Sequence, residues 1–165
     1  MPFSKIKHRL ENEYLAPSLR GRMTYFATSY SKCPDHEGRA AIRVDDVEVF
    51  KSNYFERMMI HSQKYHELEE RGAGLHESWM KAFDEAEKAG GFDHHVFYRE
   101  FQAFDSQPVE VSLESEFPLI RIFAIVDRRV GKRRLAAMAD EMHSAPPYIQ
   151  AFYALRCEAE GVEWN

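Results

Sequence analysis

Arg39-Ala40-Ala41-Ile42-Arg43-Val44-Asp45-Asp46-Val47-Glu48-Val49-Phe50 is the stretch on which the fold turns. Residues 39–44 alternate: Ala40, Ile42 and Val44 share one face, and Arg39, Ala41 and Arg43 share the other. That is the period of a strand with one side buried. Asp45-Asp46 sits where a two-residue hairpin turn is needed, although Asp-Gly would be the stronger signal. Residues 47–50 then return as a further strand. Upstream, residues 22–30 are rich in aromatic and β-branched side chains, as strands are. The reading is a three-stranded antiparallel meander. Such a sheet is too small to bury both of its faces, so it needs a helical layer on at least one.

The flanking sequence supplies that layer. Ser4 is placed to cap a short helix carrying Ile6 and Leu10, which Pro17 should end. From Tyr54 onward the apolar spacing becomes helical. Tyr54, Phe55, Met58, Met59, Tyr65 and Leu68 form one inward stripe, closed by Gly72 and Gly74. Leu75, Trp79, Ala82, Phe83 and Ala86 form a second, ended by Gly90-Gly91. Asp93 is placed to cap a third with Val96, Phe97, Phe101 and Phe104 inward. Pro108 starts a short turn or helix through Leu113. Pro118 begins a very apolar helix through Val126, residues 134–143 are helical, and Pro146-Pro147 open a last helix that ends at Gly161. The expected fold class is α+β: an N-terminal helix and three-stranded antiparallel meander packed on a C-terminal helical layer of about five helices. At 165 residues the expectation is one domain, with residues 1–53 the helix plus meander and residues 54–165 the helical part.

Composition narrows the function classes. Hydrophobic residues are 44% and charged residues 30% of the chain, which fits a folded domain rather than a disordered one. The formal net charge of −5 argues against a general nucleic-acid binder, since such domains are basic. The acid is concentrated: residues 54–118 hold six Lys/Arg against fourteen Asp/Glu, while residues 1–53 hold nine against seven and residues 119–165 seven against six. The start has no apolar signal segment, no run reaches the length of a membrane span, and Cys33 and Cys157 are too few for a disulfide framework. A cytoplasmic protein with reduced thiols is the reading.

The densest chemistry follows the apolar run 119–126. Asp127-Arg128-Arg129-Val130-Gly131-Lys132-Arg133-Arg134-Leu135 packs five cations into seven positions. Guanidinium groups suit phosphates and carboxylates. Read as a helix, the segment aligns Arg128 with Lys132 and Arg129 with Arg133, with Arg121 nearly in line with Arg128, and sets Asp127 against Arg134. Gly131 leaves a break in that helix open. Arg121, flanked by apolar residues, is expected to pair with an internal carboxylate. The candidate anion- or partner-binding residues are Arg121, Arg128, Arg129, Lys132, Arg133 and Arg134. The competing account is a solvated face with internal ion pairs, which is what most charge runs are.

Three segments carry a resemblance: residues 4–7, the hairpin region 38–50, and the pattern Ile120-Arg121-x-x-Ala124-x-x-Asp127-Arg128-Arg129-x-Gly131-Lys132-Arg133-Arg134-Leu135. Together they resemble an uncharacterised family of small bacterial proteins, whose hairpin turn is usually Asp-Gly where this chain has Asp45-Asp46. The resemblance implies a bacterial, intracellular protein. It carries over no catalytic residue.

Other constellations are thinner. His61 and His66 are five apart, off the spacing two zinc ligands on one helix would use, and His94-His95 point different ways. His76, Asp93 and Glu100 could join them only through the fold. Cys33 and His36 make half a zinc knuckle with no second half. The sheet face of Arg39, Ala41 and Arg43, joined by Arg22, Thr24, Phe26 and Tyr30, could stack bases. No phosphate-binding loop, dinucleotide fingerprint or nucleophile elbow is present. No cofactor and no metal is expected. The leading expectation is a non-enzymatic binding protein whose cationic surface takes an acidic protein partner or a phosphate-containing ligand, with nucleic acid not favoured, no membrane, and a homodimer left open. The alternatives are an enzyme using His and carboxylate groups of the middle helices, or nucleic-acid binding through the motif or the sheet face.

Overall fold

The computed structural model describes residues 1–33 and 37–164. Helix α1 (Phe3–His8) begins after Pro2, one residue ahead of Ser4, and runs straight into a π-helical turn at Arg9–Tyr14 and then a 3-10 turn at Pro17–Leu19. The meander follows: β1 (Met23–Ser29), β2 (Gly38–Val44) and β3 (Val47–Asn53), antiparallel in the order β1-β2-β3. Asp45 and Asp46 both take positive φ, at 50° and 66°, as a two-residue turn with the twist of a hairpin requires. The Asp45 carboxylate also accepts from Arg22 at 2.8 and 3.1 Å. Ile42 pairs with Phe50 but Arg43 with Glu48, so Val49 is an extra residue, a bulge that sharpens the twist.

Eight helices follow the sheet: α2 (Tyr54–Glu70), α3 (Leu75–Lys88), α4 (His94–Ser106), α5 (Val109–Leu113), α6 (Pro118–Ile125), α7 (Lys132–Ala137), α8 (Ala139–Met142) and α9 (Pro147–Glu160). Five of them have eight residues or more. The protein is therefore α+β, a helix and a three-stranded meander followed by a helical layer. Asp93 caps α4 by accepting from Val96 N at 3.0 Å, as its position in the sequence suggests, and Asn53 does the same for α2 through Glu56 N. No helix among the described residues is long and apolar enough to cross a membrane.

The core lies against the sheet face of Met23, Tyr25, Ala27, Ala40, Ile42 and Phe50. Helices α4 and α6 cover it. Phe97 and Phe123 lie 5.5 Å apart edge to face, and Phe123 meets Tyr25 at 5.8 Å. Helix α9 closes one end, where Tyr148 stacks on Phe50 at 5.1 Å. Gly38 fits because a Cβ there would fall 2.4 Å from the Thr28 carbonyl and 2.1 Å from His94 Nδ1.

The inward stripes expected on α2 and α3 are corrected in part. Phe55 is 62% exposed, Met59 74% and Leu75 69%, and Trp79 is also exposed. The two helices pack chiefly on each other as an antiparallel hairpin, with His61 between Trp79 at 4.5 Å and Phe83 at 4.0 Å. Each helix thus buries one side against its mate, and the rest of the apolar stripe finds no third layer.

Candidate functional site

The cationic motif is not one helix. Helix α6 stops at Ile125 and α7 starts at Lys132, with Gly131 at its N-cap position. The break has tertiary causes. Asp127 bridges to Leu15, Arg128 N donates to Tyr14 O at 2.7 Å, and Ala16 N donates to Val126 O at 2.9 Å. Backbone groups that would have continued the helix are taken by the segment after the π-helical turn. The expected alignment of Arg128 with Lys132 and of Arg129 with Arg133 is therefore corrected.

Asp127 is fully buried and makes the turn. Its carboxylate accepts from Arg129 N at 2.7 Å, from Arg129 Nε at 3.1 Å and from Nη2 at 2.7 Å. Arg129, not Arg134, is its partner. That hydrogen bond, foremost, holds the Arg129 guanidinium above its usual range. The guanidinium lies 5.0 Å over the Tyr14 ring and 5.6 Å over Phe104. Tyr14 is held in turn by Arg9 Nη2 at 2.7 Å and donates to Asp105, which also takes Arg9 Nη1 at 2.5 Å. Burial first, and then the Asp105 hydrogen bond, push the Tyr14 phenol up to about 12. It stays a donor at neutral pH.

The far side of the turn is fixed from α9. Arg156 is buried, donates to Val130 O at 3.1 Å and Ser18 Oγ at 2.9 Å, and pairs with Glu160. Tyr153 donates to Leu135 O. Val130 and Leu135 are core residues. The backbone of residues 127–135 is thus held by the N-terminal segment and α9, while α4 meets the Arg129 side chain.

The six candidate cations divide. Arg121 is paired with Glu141, an exposed carboxylate rather than the internal one expected. Arg129 is committed to Asp127. Arg128, Lys132, Arg133 and Arg134 are exposed and make no ion pair or side-chain hydrogen bond among the described residues. The turn and the start of α7 therefore display four cations that make no ion pair among the described residues, although the Lys132 charge reaches Glu160, while Arg121 stands apart on α6.

A second charged network, which sequence reasoning missed, lies at the root of the α2–α3 hairpin. Arg57 donates to Glu87 at 2.8 Å and to Asp93 at 3.3 Å. Arg99 pairs with Glu87 and, at 2.8 Å, with Glu100. Glu87, Asp93 and Glu100 are all buried. Burial is the chief reason the Glu100 carboxyl sits above its usual range. Its Oε2 has no hydrogen-bond partner among the described residues, and Glu100 lines a cavity of about 10 Å³ with Glu87, Val96, Phe117 and Leu119. That is room for about one water. The available signal was Glu100 itself, three after Phe97 and one before Phe101, on the inward face of α4. Arg156 offered the same sign, an ionic residue between Phe152 and Cys157.

His61 and His66 do not join these carboxylates. His61 is enclosed by the hairpin with Nε2 3.1 Å from Trp79 O, His66 lies beside Glu69 on the surface, and the His94 ring lies 3.8 Å from that of His95 at a tilt of 40°. The pairing considered for Cys33 and His36 lies outside the described residues, because Pro34, Asp35 and His36 are not among them. On the outer sheet face, Arg39 and Arg43 both pair with Glu48 and lie 5.4 and 5.0 Å over the Phe26 ring. Their charge is thus half spent locally. No group of three or more His, Cys, Asp or Glu side chains among the described residues is arranged to hold a metal ion.

Compared with known proteins, residues 2–157 match a family model described as the SF0329 protein family. No curated protein and no solved structure matches the chain.

Proposed function

The chain belongs to the SF0329 protein family, and we propose that it works as a non-enzymatic binding protein of the cytoplasm whose cationic turn takes an anionic ligand or an acidic partner. The observation that carries this reading is the contrast within the turn. Its backbone is held from two sides, by the N-terminal segment and α9, yet Arg128, Lys132, Arg133 and Arg134 are exposed and make no ion pair among the described residues. Cations held by a rigid backbone lose less freedom on meeting a ligand than cations on a mobile tail, so more of each contact survives as affinity. Four close like charges also repel one another, and an incoming anion relieves that repulsion.

The test is a binding panel of labelled single- and double-stranded oligonucleotides, a nucleotide triphosphate and an acidic peptide, at about 50 and 200 mM salt. At least one anion class should bind, more weakly at the higher salt, and the Arg128→Ala/Lys132→Ala pair should lower that affinity about tenfold. Both side chains are exposed, so the thermal midpoint of the double variant should be close to that of the parent. If no anion binds, or if the double variant binds as the parent does, the reading is wrong.

A further inference from the structure

We propose that the α2–α3 hairpin is a docking surface for a basic amphipathic segment of another protein. The argument starts from where exposed apolar side chains concentrate. Phe55 and Met59 lie one turn apart on α2, and Leu75 and Trp79 lie one turn apart on α3, with Met80 beside them. All five are exposed, which places half of the large exposed apolar residues among the described ones on this single hairpin. A side chain of this size buries about 150–250 Å² when fully covered. At the observed exposures the five leave roughly 500 Å² open, against about 800 Å² per partner in a standard interface, whose centre is apolar and whose rim is polar.

Charge selects the occupant. Residues 54–88 hold eight Asp/Glu and five Lys/Arg. Glu56, Glu70, Glu77 and Asp84 are exposed, and three of the five bases, Arg57, Lys64 and Lys88, are paired with Glu87, Glu67 and Glu116. A second copy of the hairpin would bring like charge against like charge. A segment with cations beside its apolar anchors complements both the apolar centre and the acidic rim. An amphipathic helix fits because its i, i+4 spacing repeats that of the two exposed pairs, and because about three turns, roughly 16 Å, would run from the base of the hairpin toward its tip. This surface is separate from the cationic turn, so the two readings stand or fall independently.

The experiment uses the full chain and three synthetic helical peptides: one of Leu and Lys, one of Leu and Glu in the same pattern, and one of Ser and Lys with equal charge. Binding is followed by calorimetry, and by Trp79 emission in a Trp164→Phe background. The Leu/Lys peptide should bind and move Trp79 emission to shorter wavelength, and the Met59→Glu/Met80→Glu variant should weaken it at least tenfold. The Arg128→Ala/Lys132→Ala variant should bind this peptide no more weakly than the parent. Both methionines are exposed, so these substitutions leave the fold intact. Equal binding of the Ser/Lys peptide would mean charge alone is read and would overturn the proposal, as would tighter binding of the Leu/Glu peptide. Light scattering that shows a dimer abolished by Met59→Glu would give the surface to a second copy and overturn it too.

Discussion

The cationic turn and the root of the α2–α3 hairpin are built from the same ion-pair chemistry with opposite surpluses. In the turn, one buried carboxylate, Asp127, engages one arginine and leaves four cations facing water. At the hairpin root, three buried carboxylates, Glu87, Asp93 and Glu100, share two arginines, and the surplus is negative and enclosed. An excess charge that points outward costs little and is available to a ligand. An excess charge kept inside must be neutralised or tolerated. The first arrangement is suited to recognition and the second to holding two elements together.

This comparison is most easily broken at Arg57. Arg57→Ala would leave Asp93 without its guanidinium and Glu87 with Arg99 alone, both still buried. A loss of about 3 kcal/mol is expected, or roughly 6–12 °C in thermal midpoint. Amide exchange should rise first in α2 and α3, because Arg57 ties them to the rest. If the sheet amides loosen equally, the hairpin is not a separate unit of stability.

Asp127→Ala should cost less, about 2 kcal/mol in denaturant unfolding. The carboxylate is buried, but the Arg129 side chain it strands is 41% exposed and returns to water. A loss larger than that of Arg57→Ala would reverse the contrast drawn between the two networks.

Glu100→Gln gives the smallest effect and the sharpest sign. Burial holds the Glu100 carboxyl above its usual range in the folded state. Folding is then favoured while the group is protonated, and stability falls as pH rises from the ordinary carboxylate range through the raised folded value. The glutamine variant lacks this term. Its stability relative to the parent should therefore increase as pH rises above the ordinary carboxylate range, read from denaturant midpoints at several pH values. A difference that does not change with pH would show that Glu100 carries no such penalty.

Much of the framework was legible because it rests on local chemistry. The Asp45-Asp46 turn, the Asp93 cap, the proline starts of α6 and α9 and the stop at Gly161 are each decided within a few residues. The alternation of residues 39–44 located the buried face of β2. What could not be read depends on partners far along the chain. Nothing near Arg128 shows that its amide will go to Tyr14, more than a hundred residues earlier, and that bond helps to end a helix whose local pattern could have continued. Nor does a stripe such as Phe55–Met59 show whether a third layer will cover it. Of the candidate cations, Arg121 does meet a carboxylate, but Glu141 is an exposed one and not the internal partner expected, and Asp127 was matched to Arg134 on helical spacing that the break at Gly131 removes.

The π-helical turn at Arg9–Tyr14 sets a phase for the whole arrangement. Its wide turn takes up nearly one residue more than an α-helical turn would, so the stretch sweeps about as far round the axis as an α-helix one residue shorter. Deleting a single residue between Arg9 and Leu15 should therefore let α1 run on as an ordinary helix with Tyr14 still turned toward Asp105 and its carbonyl still toward Arg128. Single-residue deletions should be tolerated better in this stretch than in the α-helical turn before it.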